Sequence, residues 1–178
     1  RKALNLLKST LPSENVPVSV EFNNSNAYFK FNSIKMICRL IDERFPDYEN
    51  VIPVDNPNHM TIDRLEFLGS LRRIAIYANK TTHQVRLKLT GSELQISAED
   101  LDFSNEANER LSCEHDGEDI EIGFNAKFLV EMLNNLDSKQ VTLQFSAPNR
   151  AGLIVPSDTS ENEDILMLVM PVMLNNYV

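Results

Sequence analysis

The sequence predicts an α+β protein: amphipathic helices packed on antiparallel sheets, in repeated modules. Three observations predict it. Helical periodicity occurs in three short segments, near residues 1, 63 and 125. Between them apolar and polar residues alternate, the mark of half-buried strands. The order helix, short loop, hairpin, further strand recurs at intervals of roughly 60 residues, too long for a common solenoid unit and suited to a helix layered on a sheet.

Each element has a local reason. In the first helix, residues 1–11, Ala3, Leu4, Leu6, Leu7 and Leu11 fall on one side, and Arg1, Lys2, Asn5, Lys8 and Ser9 on the other. The second runs over about 63–78, with Asp63 as N-cap. Its apolar face is Phe67, Leu68, Leu71, Ile74, Ala75 and Ala78; Glu66, Ser70, Arg73 and Tyr77 lie opposite, with Arg72 and Ile76 on a flank. The third covers about 125–136 with Asn125 as cap. Ala126, Leu129, Val130, Met132, Leu133 and Leu136 form its apolar face, and Phe128 sits on the seam. Strands are predicted at 18–22 and 27–31 around Asn23-Asn-Ser-Asn26, at 34–41, and at 85–89 and 93–97 around Thr90-Gly-Ser92. A long polar strand at about 105–114 follows, then 119–124, 141–145, 152–155 and 164–170. Residues 44–57 hold three prolines and no alternation, which reads as an ordered linker. Copy one is then half of a truncated domain, residues 1–57 with the linker, and copies two and three form one complete domain, 58–178.

Composition narrows the class. With 42% hydrophobic and 24% charged residues among 178, the chain is neither disordered nor fibrous. No apolar run approaches the ~20 residues of a membrane span. Two cysteines, Cys38 and Cys113, are too few for a disulfide framework, so a reducing, cytoplasmic setting is expected. The chain opens at Arg1 without Met or a signal pattern, as a piece of something longer would.

The net charge of −9 argues against a nucleic-acid partner until its distribution is read. The three helices carry seven basic residues (Arg1, Lys2, Lys8, Arg64, Arg72, Arg73, Lys127) against three acidic ones (Asp63, Glu66, Glu131). The rest carries ten against twenty-three. Lys and Arg are good helix formers, which alone could place them there. The first helix, with three bases and no acid on its polar face, favours instead a sparse cationic surface for sequence-blind phosphate contact.

Catalytic signals are weak. Cys113-Glu-His115 puts two donors on one strand face, but a zinc site wants about four, so a surface Cys and His is expected. Asp116-Gly-Glu-Asp119 lacks calcium-loop spacing. No glycine-rich phosphate loop or nucleophile elbow is present. The competing enzyme reading is a metal-dependent hydrolase using Asp42, Asp47, Glu49 and His59. A further alternative is a protein-interaction module without DNA contact.

Specific motifs then carry a resemblance. Arg44-Phe-Pro-Asp-Tyr48 with Val51-Ile-Pro53, Asn79 followed by Val85-Arg-Leu87, Ile122-Gly-Phe-Asn125 with Leu133-Asn-Asn-Leu136, and Val169-Met-Pro171 occur in order across nearly the whole chain. With them the chain resembles the bacterial sliding clamp family, the beta subunit of DNA polymerase III. The resemblance implies the clamp fold, with residues 1–57 as the rear half of the second domain plus its linker and 58–178 as the third domain. It implies a head-to-tail homodimeric ring around duplex DNA, with no catalytic residues, metal or cofactor. The ring tethers the polymerase III alpha subunit, the clamp loader and other proteins bearing clamp-binding motifs. Arg1, Lys2, Lys8, Arg72, Arg73 and Lys127 would face DNA.

The resemblance also implies a pocket for short apolar peptides between the second and third domains. Its matching positions are Pro46, Val51, Asn125, Phe128, Leu153, Leu168, Met170, Pro171, Met173 and Leu174. Met suits such a site because it adapts to several partners. Departures from the family are Thr82, where relatives carry an aromatic residue, Asn50, where a base is common, and the tail Asn175–Val178 beyond the usual end. Ile76 and Tyr77 match apolar positions of the ring seam. Without a first domain this chain cannot rebuild that seam and is expected to be monomeric.

Overall fold

The structure, a computed structural model, describes residues 2–159 and 161–174. The chain forms two compact units, residues 1–46 and 47–178.

In the first unit, helix α1 (Lys2–Thr10) precedes strands β1 (Ser19–Phe22), β2 (Asn26–Phe31) and β3 (Ile34–Arg39), an antiparallel sheet in the order β1-β2-β3. The asparagines make both turns. The Asn23 side chain accepts from the amides of Ser25 and Asn26, and Asn32 takes a positive φ of 49° in the two-residue link between β2 and β3. Among the described residues of this unit, only Ala27, Phe29 and Phe31, alternating along β2, are buried. On α1, Leu4 and Leu6 are 61% and 57% exposed, and no residue of the helix is buried.

The second unit begins with a 3-10 turn (Glu49–Val51), inside the expected linker, and strand β4 (Asn58–Asp63), where the sequence reading predicted no element before the Asp63 cap. Helix α2 (Arg64–Ile74) follows, tightening into a 3-10 turn (Ala75–Tyr77). Then come β5 (Gln84–Thr90), β6 (Glu93–Asp100), β7 (Asn105–Ser112), β8 (Glu114–Asp116) and β9 (Ile120–Asn125). Helix α3 (Ala126–Asn134), β10 (Gln140–Phe145), β11 (Gly152–Pro156) and β12 (Met167–Val169) complete it. The single polar strand expected at 105–114 is broken at Cys113, which sends β7 and β8 to different sheets. The last strand is shorter than the predicted 164–170.

The two sheets are antiparallel, in the orders β7-β6-β5-β9 and β12-β11-β10-β4-β8. The strand leading into each helix joins the sheet of the other repeat: β4 pairs with β10, and β9 with β5. Because β4 and β9 start at residues 58 and 120, and α2 and α3 at 64 and 126, each pair is 62 residues apart. The hydrogen bonds obey the same symmetry. Arg64 N donates to Lys139 O at 3.0 Å, and Ala126 N to His83 O at 2.8 Å. This exchange makes the two repeats one folding unit with one core. Inward residues of both sheets (Val85, Leu87, Leu94, Ile96, Ile122, Phe124; Met60, Ile62, Val141, Leu143, Phe145) meet Phe67, Leu71, Ile74, Leu129 and Leu133 of the helices. Every residue placed on the apolar faces of α2 and α3 is buried or half-buried there, but Ser70, read as solvent-facing, is fully buried.

Candidate functional site

Asn125 ends β9 and caps α3. Its Oδ1 accepts from Lys127 N at 3.0 Å and its Nδ2 donates to Thr82 O at 3.1 Å. The cap fixes where α3 begins and so turns Phe128, 56% exposed, outward. The chain's last described residues reach the same corner. Leu168 of β12 is paired with Leu153 of β11, and β12 packs on α3. Beyond Met170 and Pro171, Val172 N donates to Gly123 O at 2.9 Å, two residues before Asn125. Met170 and Met173 are 58% and 75% exposed, Leu153 is buried, and Leu168, Pro171 and Leu174 are half-buried. Phe128 on α3, and Met170 and Met173 just after β12, are thus large exposed apolar side chains on elements that touch. Such exposed apolar side chains suit an apolar peptide or partner.

Val51 is exposed in its 3-10 turn, five residues before Asn56. The Asn56 side chain donates to Gln144 O at 3.1 Å, which ties this segment to the β10–β11 hairpin that carries Leu153. Pro46 belongs to the first unit and is exposed. The 175–178 tail and Arg1 lie outside the described residues.

The helix cations divide by what they touch. Arg64 is consumed by the fold: its guanidinium donates to Ser138 O and Leu133 O at the end of α3, where the helix dipole favours a cation. Arg73, grouped with the DNA-facing residues from sequence, grips Glu109 of β7 with two hydrogen bonds of 2.7 and 2.6 Å. That bond to Arg73 holds the Glu109 carboxyl below its ordinary range. Arg73's charge is therefore largely answered within the fold. No spacing rule signals this pair, 36 residues apart. Lys2, Lys8, Arg72 and Lys127 are exposed; Arg72 touches the neutral Asn134 side chain at 2.6 Å. Ile76 and Tyr77 are 66% and 41% exposed on a turn that packs on β6 and β7, and β7 is a sheet edge. Leu101 and Phe103, at the tip of the β6–β7 hairpin, are also exposed, a feature that sequence reading passed over.

The other candidate chemistry finds no assembled site. Cys113 is buried rather than on the surface, because it bridges β7 and β8 at the core edge, and burial pushes its thiol up from 9.0. His115 stacks on Phe145. Asp47 accepts from Asn50, and a ring nitrogen of His59 bonds Asn56 O. Among the described residues no group of three or more His, Cys, Asp or Glu is placed to hold a metal. A concavity of about 800 Å³ lies over β5–β7, where Gln84, Arg86, Gln95 and Ser97 are mixed with Ala98, Leu101 and Ala107. Ligand sites are more often lined mainly by apolar and aromatic side chains, with a few placed polar groups. No helix among the described residues is long and apolar enough to cross a membrane.

Residues 49–173 match the family model described as DNA polymerase III beta subunit, C-terminal domain. The beta sliding clamp of Vibrio cholerae is 29% identical over 174 residues, covering 98% of this chain and 46% of that protein. The crystal structure of the DNA polymerase III subunit beta from Pseudomonas aeruginosa superposes with a TM-score of 0.89 at 28% identity, covering 97% of this chain and 46% of that one. A second structure from that organism, described as bound to griselimycin, gives 0.87 at the same identity and coverage. The chain thus spans about half the length of the curated relatives it matches. By its family match, its repeated fold and its motifs, the chain belongs to the DNA polymerase III beta subunit family, with residues 49–173 corresponding to the C-terminal domain.

Proposed function

We propose that this chain is the rear part of a sliding clamp: a non-catalytic processivity factor of the cytoplasm that encircles duplex DNA as a head-to-tail dimer and tethers the replicative polymerase and other DNA enzymes. One observation carries the reading for the part of the clamp that this chain contains. Phe128 of α3, and Met170 and Met173 just after β12, which packs on α3, are large apolar side chains left exposed; in this reading they form the rim where side chains of a short apolar peptide would be desolvated. In the same reading Val51, Asn125, Leu168, Pro171 and Leu174 belong to this docking surface. Tethering by such a motif raises local polymerase concentration without any catalytic group.

DNA contact rests on Lys2, Lys8, Arg72 and Lys127, with Arg1 adding to the first helix and Arg73 held back by Glu109. Few, dispersed cations give loose, salt-dependent and sequence-blind attraction, which lets a ring slide. Ile76 and Tyr77, with the open edge of β7, would form this subunit's side of the ring seam.

The test is titration with a fluorescent peptide containing Gln, Leu and Phe. Saturable binding that is lost in Met170→Glu, with the melting temperature preserved, supports docking at this rim. Equal binding by wild type and Met170→Glu refutes it. For the full ring, salt-sensitive retention on circular DNA that is lost on linearisation separates a clamp from a plain interaction module.

A further inference from the structure

Strand β9 carries a glycine between two fully buried core residues, Ile122 and Phe124. Glycine weakens a strand interior and marks places where another backbone comes close. Its φ is not in the left-handed region, so no turn demands it. Space does. A Cβ at position 123 would lie 2.6 Å from Val172 O and 2.8 Å from Leu174 Cδ2, distances that real Cβ atoms do not show. The first of these contacts is backbone, so no rotamer change relieves it. Val172 N bonds Gly123 O, and Gly123 with Val172 forms one isolated antiparallel bridge.

The internal symmetry supplies a control within the same molecule. The residue 62 positions earlier, Thr61 on β4, has the same role in its sheet. The outer edge of β4 is closed by a regular ladder of three pairs with β8: His59 with Asp116, Met60 with His115 and Thr61 with Glu114. Thr61 has room for its side chain there and bonds Thr142 at 2.9 Å. Among the described residues the β9 edge is closed by the single bridge to Val172, which lays the C-terminal segment against the strand itself.

We propose that Gly123 is the positioning residue of the docking site, seating residues 170–174 against β9 so that Met170 and Met173 stand beside Phe128. This rests on the docking function proposed above. Among the described residues the backbone bond from Val172 N to Gly123 O holds this seat.

Gly123→Ala in the 178-residue chain tests it, beside the same substitution in a chain ended after Pro171. Amide exchange of Val172 by NMR should quicken at least tenfold in Gly123→Ala, while amides of β5 and β10 keep their protection. Binding of the Gln-, Leu- and Phe-containing peptide should weaken by about tenfold. In the shortened chain the substitution should change neither peptide affinity nor melting temperature, because the segment it expels is gone. Unchanged Val172 exchange, or an equal effect of Gly123→Ala in both chains, overturns the proposal. If wild type binds no peptide, the docking function fails, while Val172 exchange and the melting comparison still decide the role of Gly123.

Discussion

Replacing Asn125 with Ala removes two hydrogen bonds at the start of α3. One is the N-cap from Lys127 N to Oδ1 at 3.0 Å; the other is the bond from Nδ2 to Thr82 O at 3.1 Å. A lost cap costs about 1 kcal/mol, and a neutral side-chain bond to a carbonyl contributes about 1 kcal/mol. The expected total is about 2 kcal/mol, a fall of roughly 4–8 °C in melting temperature for a chain of this size. The symmetric position sharpens the test. Asp63 caps α2 by accepting from Leu65 N at 2.9 Å and Glu66 N at 3.0 Å, and it has no proton to donate. Asp63→Asn keeps an acceptor and loses only a negative charge at a helix N-terminus, a cost of about 0.3–1 kcal/mol. Asn125→Asp gains that charge but faces Thr82 O with a carboxylate in place of a donor. The missing bond, about 1 kcal/mol, outweighs a gain of about 0.5 kcal/mol, so the variant should be less stable than wild type. Urea unfolding of wild type and the three variants measures this. Asn125→Asp as stable as wild type would show that the Thr82 bond contributes nothing, and a cost under about 0.5 kcal/mol for Asn125→Ala would refute the capping argument.

Two further outcomes follow from ionisable groups. Glu109 has its carboxyl held below its ordinary 4.5 by Arg73, so the pair's stabilisation is complete above about pH 4.5 and is lost as pH falls through the lower, folded value. The stability gap between wild type and Glu109→Gln should therefore close in urea midpoints taken from pH 7 down to 3; a gap independent of pH contradicts the pairing. Cys113 is buried and its thiol is pushed up by that burial, whereas Cys38 is half-exposed. A disulfide reagent at pH 8 should modify Cys38 first and Cys113 only on unfolding, with Cys38→Ser assigning the phases; the reverse order would contradict the described burial.

Local patterns in the sequence already determined much of this protein. The caps Asp63 and Asn125, the buried stripes of α2 and α3, the hairpins at Thr90-Gly-Ser92 and Asn23–Asn26, and the family motifs were all legible. A helix or strand is encoded by spacings of two to four residues, and those survive in one dimension. Exposure of Phe128 at the helix seam was readable for the same reason. Tertiary structure alone decided the pairing of β4 with β10 and of β9 with β5, the division of residues 105–116 between two sheets, and the burial of Ser70. It also decided that Glu109 takes up Arg73 and that Val172 presses on Gly123. Each of these depends on which distant strand lies alongside. That choice is made by the packing of one shared core, to which short-range periodicity is blind.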